Sequence, residues 1–142
     1  MEVVAPLGDV YQAGTLSGNP VAMAAGVCML RLLLENPHIY DTLNENGTYF
    51  FTKLLEIVRK AGYPYQVNYI GSLGCLFFTN EQPTDYKSAK TSDTKAYGAY
   101  CRYMLNHGVY LAPAQFEAIF LSAAHTKKLL DETLQIAEGY FA

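Results

Sequence analysis

Small and hydroxyl-bearing residues stand directly before an Asn-Pro pair in the stretch "AGTLSGNP". Gly14 and Gly18 permit close approach of the backbone, and the hydroxyls of Thr15 and Ser17 can donate hydrogen bonds. A helix that begins at Pro20 would add the positive end of its dipole. These parts could bind a phosphate group, although their spacing matches neither GxxxxGK[ST] nor GxGxxG. Spacing alone favours the simpler interpretation of ordinary loop and capping chemistry.

Glu117 is the second candidate for chemistry. Apolar residues flank it on both sides in "LAPAQFEAIF", which predicts that its side chain is partly buried. A partly buried carboxylate is usually paired with a cation or with turn amides. It could equally orient a substrate amine or set a pKa in a cleft. The spacing of the residues leaves both interpretations open.

The three histidines and the three cysteines give no pattern that predicts a metal site or an activated nucleophile. The histidines share no metal-ligand spacing, which favours capping and surface roles. The cysteines are widely separated, which favours buried thiols in a reducing, cytoplasmic compartment. These residues are His38, His107, His125, Cys28, Cys75 and Cys101.

The composition is that of a globular protein. The 142 residues are enough for one compact domain, and 51% of them are hydrophobic while 16% are charged. The net charge is −3 and the basic residues are scattered, so nucleic acid is not an expected partner. The beginning of the chain has no signal-peptide pattern, and the apolar run 21–30 is too short to cross a membrane.

Helical periodicity dominates the first part of the chain. Asn19-Pro20 predicts a helix start, and this helix should extend to Leu34 and be buried on nearly all sides. Asn36-Pro37 predicts a second start, for an amphipathic helix that stops at Gly62.

The period changes after Gly62. "YPYQVNYI" and "GCLFFT" predict two strands around a tight turn at Gly71 and Ser72. A surface loop over 80–93, a third helix ended by "NHG", short strands at "VYLA" and "AIFLSAA", and a last helix capped by Thr126 follow. We therefore expect an α+β domain of two layers, in which helices cover a short antiparallel sheet and a long buried helix precedes it.

The stretch "VYQAGTLSGNPVAMAAG", together with "GVYLAPAQFEA" and "SAAHT", resembles the glutamate-1-semialdehyde 2,1-aminomutases. These are class III members of the fold-type I pyridoxal-phosphate (PLP) enzymes, and the resemblance covers essentially the whole chain. It implies the C-terminal part of such an enzyme: residues 1–35 would carry the phosphate-contact loop and an interdomain helix, and 36–142 the small C-terminal domain. "GSLGCLFFT" departs from the family, which has bulkier residues at Gly74 and Cys75.

The resemblance also implies a function and a site. Such an enzyme converts glutamate 1-semialdehyde to 5-aminolevulinate for tetrapyrrole synthesis, with PLP and its pyridoxamine form as cofactor. Thr15 matches the threonine that contacts the cofactor phosphate of the neighbouring subunit in a homodimer. Gly14 would assist through its backbone, Ser17 is a further candidate for the phosphate, and Glu117 matches an acidic residue near the substrate amine, either touching substrate or gating access.

The resemblance implies that the Schiff-base lysine of the family lies outside this chain. The chain alone is therefore expected to be inactive, with no catalytic residue of its own. Two alternatives stay open: part of another class III ω-aminotransferase, or a non-catalytic module that binds a partner through an exposed apolar surface.

Overall fold

The structure, a computed structural model, describes all 142 residues. The chain folds into two compact units, Met1–Pro37 and His38–Ala142. The first unit contains helix α1. The second contains, in chain order, α2, β1, β2, α3, α4, β3 and α5. The elements are α1 Pro20–Glu35, α2 His38–Lys60, β1 Gln66–Ile70, β2 Leu73–Phe77, α3 Tyr86–Ala89, α4 Thr94–Asn106, β3 Ile119–Phe120 and α5 Lys127–Phe141.

Helix α1 begins where the sequence predicts. Pro20 occupies the first turn, where its missing N–H breaks no hydrogen bond, and the side chain of Asn19 caps the helix. The expected burial of this helix on nearly all sides is wrong for the unit to which it belongs, since none of its residues is buried. The reason is that residues 1–37 contain no other helix, and no strand longer than an isolated bridge between Val4 and Val10.

Three antiparallel strands in the order β1-β2-β3 form the sheet of the second unit. In the predicted hairpin, Gln66 lies opposite Phe77 and Ile70 opposite Leu73, so only Gly71 and Ser72 form the turn. The φ of Gly71 is +52°, in the left-handed region that tight hairpin turns require.

The two later strands differ from the prediction. "VYLA" forms no strand, and of "AIFLSAA" only Ile119 and Phe120 pair with β2. The main chain of 109–112 is instead bonded to α4. The N–H of Val109 donates to the carbonyl of Met104 at 2.9 Å, and the carbonyl of Ala112 accepts from the hydroxyl of Tyr97 at 2.6 Å.

The predicted surface loop 80–93 contains one short helix, α3, that the sequence interpretation missed. The Asp85 carboxylate accepts from the N–H of Ser88 at 2.8 Å, and the Ser88 hydroxyl accepts from the N–H of Asp85 at 3.1 Å. This reciprocal pair is a capping box, which stabilises even a single helical turn. The N–H and the hydroxyl of Ser88 both donate to the Asp85 carboxylate, and these two hydrogen bonds hold its pKa below the usual value.

The core lies entirely within the second unit, where α2, α4 and α5 pack together beside the sheet. Alternate residues of β2 are buried, so one face of the sheet is turned to the helices. Fourteen buried apolar side chains form the core: Phe50, Phe51, Leu54, Val58, Leu76, Phe78, Tyr97, Tyr100, Met104, Leu121, Leu130, Leu134, Ala137 and Phe141. The α+β class with a short antiparallel sheet is thus confirmed.

The unusual Gly74 has a packing explanation. A Cβ atom there would lie 2.5 Å from Cε1 of Phe51, whose ring is fully buried against the sheet. The sheet and α2 therefore approach each other too closely at this point for any larger residue.

Candidate functional site

The loop before α1 folds as two successive turns. The N–H of Ser17 donates to the carbonyl of Gly14, and the N–H of Asn19 donates to the carbonyl of Leu16, both at 3.0 Å. A Cβ atom at residue 14 would collide with Oγ of Ser17. Gly14 therefore allows the first turn to close with the Ser17 side chain against it.

The first amides of α1 are already bonded. The N–H groups of Val21 and Ala22 donate to Oδ1 of Asn19 at 3.0 and 3.1 Å, and that of Met23 donates to the Asn19 carbonyl at 2.9 Å. Pro20 has no N–H. The helix can therefore contribute its dipole to an anion, but it has no free first-turn amide to donate.

Donors that remain free lie in the loop itself. The main-chain N–H groups of Thr15, Leu16 and Gly18, and the hydroxyls of Thr15 and Ser17, have no hydrogen-bond partner in the chain. All four residues are exposed. Successive unpaired N–H groups with adjacent hydroxyls are the donor set that binds phosphate oxygens. The loop thus fits a phosphate group through its own atoms rather than through the helix terminus.

Glu117 lies in the second unit, in the segment between α4 and β3. Its N–H donates to the carbonyl of Ala114 at 3.2 Å, which closes a turn. The predicted partial burial is wrong, because Glu117 is exposed and no Lys, Arg or His lies within ion-pair distance. In a tight turn, apolar neighbours do not bury the residue between them, and its carboxylate is free to accept from a ligand.

Gln115 is the buried polar residue of this segment, and the sequence interpretation missed it. Only 2% of its surface is exposed. Its Nε2 donates to the carbonyl of Leu76 at 2.8 Å, and its Oε1 accepts from the N–H of Phe78 at 3.2 Å. The thiol of Cys75 donates to the main-chain carbonyl of Gln115 at 3.4 Å. A glutamine two residues before a candidate acid was the only signal in the sequence.

Helix α4 supplies a further attachment for the same segment. The Tyr97 hydroxyl donates to the carbonyl of Ala112 at 2.6 Å. Burial, with smaller contributions from nearby Cys101, Cys75 and Glu117, raises the pKa of Tyr97 to about 12. The hydroxyl therefore stays protonated as a hydrogen-bond donor at neutral pH.

The histidines have local structural roles. His38 begins α2, and Nδ1 of His107 lies 2.8 Å from the carbonyl of Tyr103 at the end of α4. Nδ1 of His125 accepts from the N–H of Ser122 at 2.9 Å. No group of three or more His, Cys, Asp or Glu side chains is placed to hold a metal ion.

The cysteines are all free thiols, and they differ in burial. Cys75 and Cys101 are half-buried, whereas the predicted burial of Cys28 is wrong because α1 leaves it exposed. None of the five helices combines the length and the apolar composition of a membrane-spanning segment.

Comparison with curated proteins gives close relatives over the whole chain. Glutamate-1-semialdehyde 2,1-aminomutase 1 of Lachnoclostridium phytofermentans is 58% identical over 140 residues, which are 99% of this chain and 33% of the relative. The chain matches one third of an aminomutase. The aminomutase of Acetivibrio thermocellus is 51% identical over 142 residues, which are 32% of its length. No protein-family model matches the chain. The resemblance that the motifs indicate is confirmed, and the chain spans about a third of these aminomutases.

Solved structures confirm the fold. An omega-transaminase from Sphaerobacter thermophilus, at 25% identity, superimposes with a TM-score of 0.82 over 93% of this chain and 30% of its own. A β-phenylalanine aminotransferase from Variovorax paradoxus, at 23% identity, gives a TM-score of 0.81 over 94% and 30%. Both neighbours are named as transaminases, so this chain has the fold of about a third of a transaminase.

Proposed function

We propose that this chain supplies one wall of the active site of a PLP-dependent aminomutase. The reaction is conversion of glutamate 1-semialdehyde to 5-aminolevulinate, an isomerisation that feeds tetrapyrrole synthesis. The observation that carries this proposal is 58% identity over 99% of the chain to a protein named for that activity. Residues 1–35 form the part that contacts the cofactor phosphate, and residues 36–142 form a domain that carries Glu117.

Thr15 is the central phosphate contact in this proposal. Its hydroxyl and N–H are both unpaired and exposed, so it can donate two hydrogen bonds to one phosphate group. Ser17 adds a second hydroxyl, and Gly14 allows the backbone to fold tightly beside it. Bound PLP supplies the electron sink for moving an amino group between adjacent carbons.

Glu117 binds the amino group of the substrate. Its carboxylate is exposed and without a cation in the chain, so it can accept hydrogen bonds from a substrate ammonium. Holding that group fixes which carbon faces the cofactor, which is a positioning role in the reaction.

The assembly is a homodimer in which Thr15 reaches the cofactor of the neighbouring subunit. The lysine that carries the cofactor belongs to the two thirds of the enzyme that these 142 residues do not span, so the chain alone is inactive. Three free thiols support a reducing compartment, and we place the enzyme in the cytoplasm.

A chimera tests the proposal. This chain replaces the matching third of the Lachnoclostridium phytofermentans aminomutase, whose remaining two thirds are kept. We expect formation of 5-aminolevulinate from glutamate 1-semialdehyde as the only substrate, with no activity from the 142-residue chain alone. An inactive chimera that folds and binds PLP would contradict the proposal.

A class III ω-aminotransferase is the second candidate, favoured by the superposition on the Sphaerobacter thermophilus omega-transaminase. The same chimera separates the two activities, because an aminotransferase requires an external amine acceptor. A non-catalytic interaction module is the third, and it predicts that neither activity depends on Thr15 or Glu117.

A further inference from the structure

We propose that Gln115 is a positioning residue, which holds the Glu117 carboxylate in place by fastening its segment to strand β2. This inference rests on the proposed substrate contact of Glu117.

The side-chain amide of Gln115 bonds to the part of β2 that strand β3 is too short to reach. Strand β3 pairs with β2 only at Leu73 and Gly74. Further along, the amide of Gln115 takes up the carbonyl of Leu76 and the N–H of Phe78, as the peptide group of a neighbouring strand would do. The chain can therefore leave the sheet without exposing these buried main-chain groups.

Glu117 consequently lies between two attachments to the same strand. Gln115 is bonded two residues before it, and Ile119 pairs with Gly74 two residues after it. The turn hydrogen bond from the Glu117 N–H to the Ala114 carbonyl spans Gln115, and so joins Glu117 directly to the first attachment. The backbone of Glu117 is thus fixed while its side chain stays in solvent.

The buried amide favours positioning over simple filling of space. Burying an amide that is only 2% exposed costs free energy unless its polar atoms are hydrogen-bonded. Here Nε2 donates one hydrogen bond and Oε1 accepts another. Such a group permits one register of the segment against the strand. An apolar side chain of similar size would bury comparable surface but would not select that register.

The experiment is a double-mutant cycle in the chimera, with Gln115→Leu, Glu117→Gln and the double variant. Gln115→Leu should lower kcat/KM about tenfold when Glu117 is present, and by less than about twofold when residue 117 is already Gln. Additive losses would overturn the inference, and so would a Glu117→Gln variant with unchanged kcat/KM. An unchanged Glu117→Gln variant would overturn this inference but leave the proposed aminomutase activity intact. An inactive parent chimera would instead refute the proposed activity.

Amide hydrogen exchange provides a readout that does not require turnover. Gln115→Leu should speed exchange of the Phe78 and Glu117 amides at least about tenfold. Unchanged exchange at both would overturn the inference whatever the activity.

Thr79→Val is the matched control. Thr79 is 5% exposed, and its hydroxyl lies 2.6 Å from that of Thr91 and accepts from the N–H of Glu81, so it makes no hydrogen bond to the Glu117 segment. It should also lower stability, because it too removes a buried hydrogen bond. We expect Thr79→Val to leave unchanged both kcat/KM, with Glu or Gln at residue 117, and the exchange rate of the Glu117 amide. An equal effect of Thr79→Val on these readouts would reduce the role of Gln115 to general stability and overturn the inference.

Discussion

The side-chain oxygen of Gln115 accepts a hydrogen bond from the N–H of Phe78 at 3.2 Å, across 37 positions of sequence. With the bond from Nε2 to the Leu76 carbonyl, it joins the segment that carries Glu117 to β2, the central strand of the sheet. The candidate acid is therefore placed by a contact that no local pattern encodes.

Removing the hydroxyl of Thr15 should weaken PLP binding. We expect Thr15→Val in the chimera to raise the Kd for PLP about tenfold, since a hydrogen bond to a charged phosphate is lost. Titration of the cofactor absorbance measures this Kd. Thr15→Ser keeps the hydroxyl and should bind nearly as the parent does; equal losses in the two variants would exclude a hydroxyl contact.

Enlarging Gly74 should destabilise the second unit. The Cβ atom of Gly74→Ala would lie 2.5 Å from Cε1 of Phe51, so the ring must move, at a cost of about 1–3 kcal/mol. Urea unfolding of the 142-residue chain measures the change. At Gly26, in α1, an added Cβ meets no atom within 4 Å, so Gly26→Ala should not destabilise. Similar stability of both variants would contradict the close packing of α2 against the sheet.

Stability should decline in alkali partly because of Cys75. Burial raises the pKa of its thiol from 9.0 to about 11, against a smaller lowering by the hydrogen bond with Gln115. The unfolded chain ionises first, so the stabilisation is complete below pH 9 and is lost as the pH rises to 11. Cys75→Ser retains a hydroxyl donor and removes this titration. Its urea midpoint should fall less than that of the parent over this pH range; parallel curves would show that the thiol makes no such contribution.

The chain by itself should self-associate through α1. Apolar side chains of this helix are exposed, among them Val21 at 76%, Leu30 at 62% and Leu34 at 80%. Sedimentation velocity should show a concentration-dependent increase in mass, and Leu30→Glu should reduce it. A chain that starts at residue 38 retains every core residue and should remain monomeric. Association of that shorter chain to the same extent would assign the effect to another surface.

Local signals predicted the four longer helices and the hairpin well. Asn19-Pro20 fixes the start of α1, Thr126 caps α5 through the N–H of Leu129, and Gly71 takes the left-handed conformation of a two-residue turn. Each depends on residues within one turn of each other, so the sequence alone contains the information.

Contacts between distant residues account for what the sequence analysis missed. Residues 109–112 have strand composition, but their main chain is bonded to α4, including the contact of Ala112 with Tyr97. Glu117 is exposed despite its apolar neighbours, because the turn closed by Ala114 directs it away from the core. Strand pairing and turn direction depend on tertiary partners, which propensity does not specify.

Turnover of glutamate 1-semialdehyde by the chimera, with no added amine donor or acceptor, tests the central claim most directly. If this chain supplies one wall of an aminomutase site, the chimera should form 5-aminolevulinate within about tenfold of the rate of the Lachnoclostridium phytofermentans enzyme. A folded, PLP-loaded chimera that forms no 5-aminolevulinate, or that reacts only when an external amine acceptor is added, would contradict the claim.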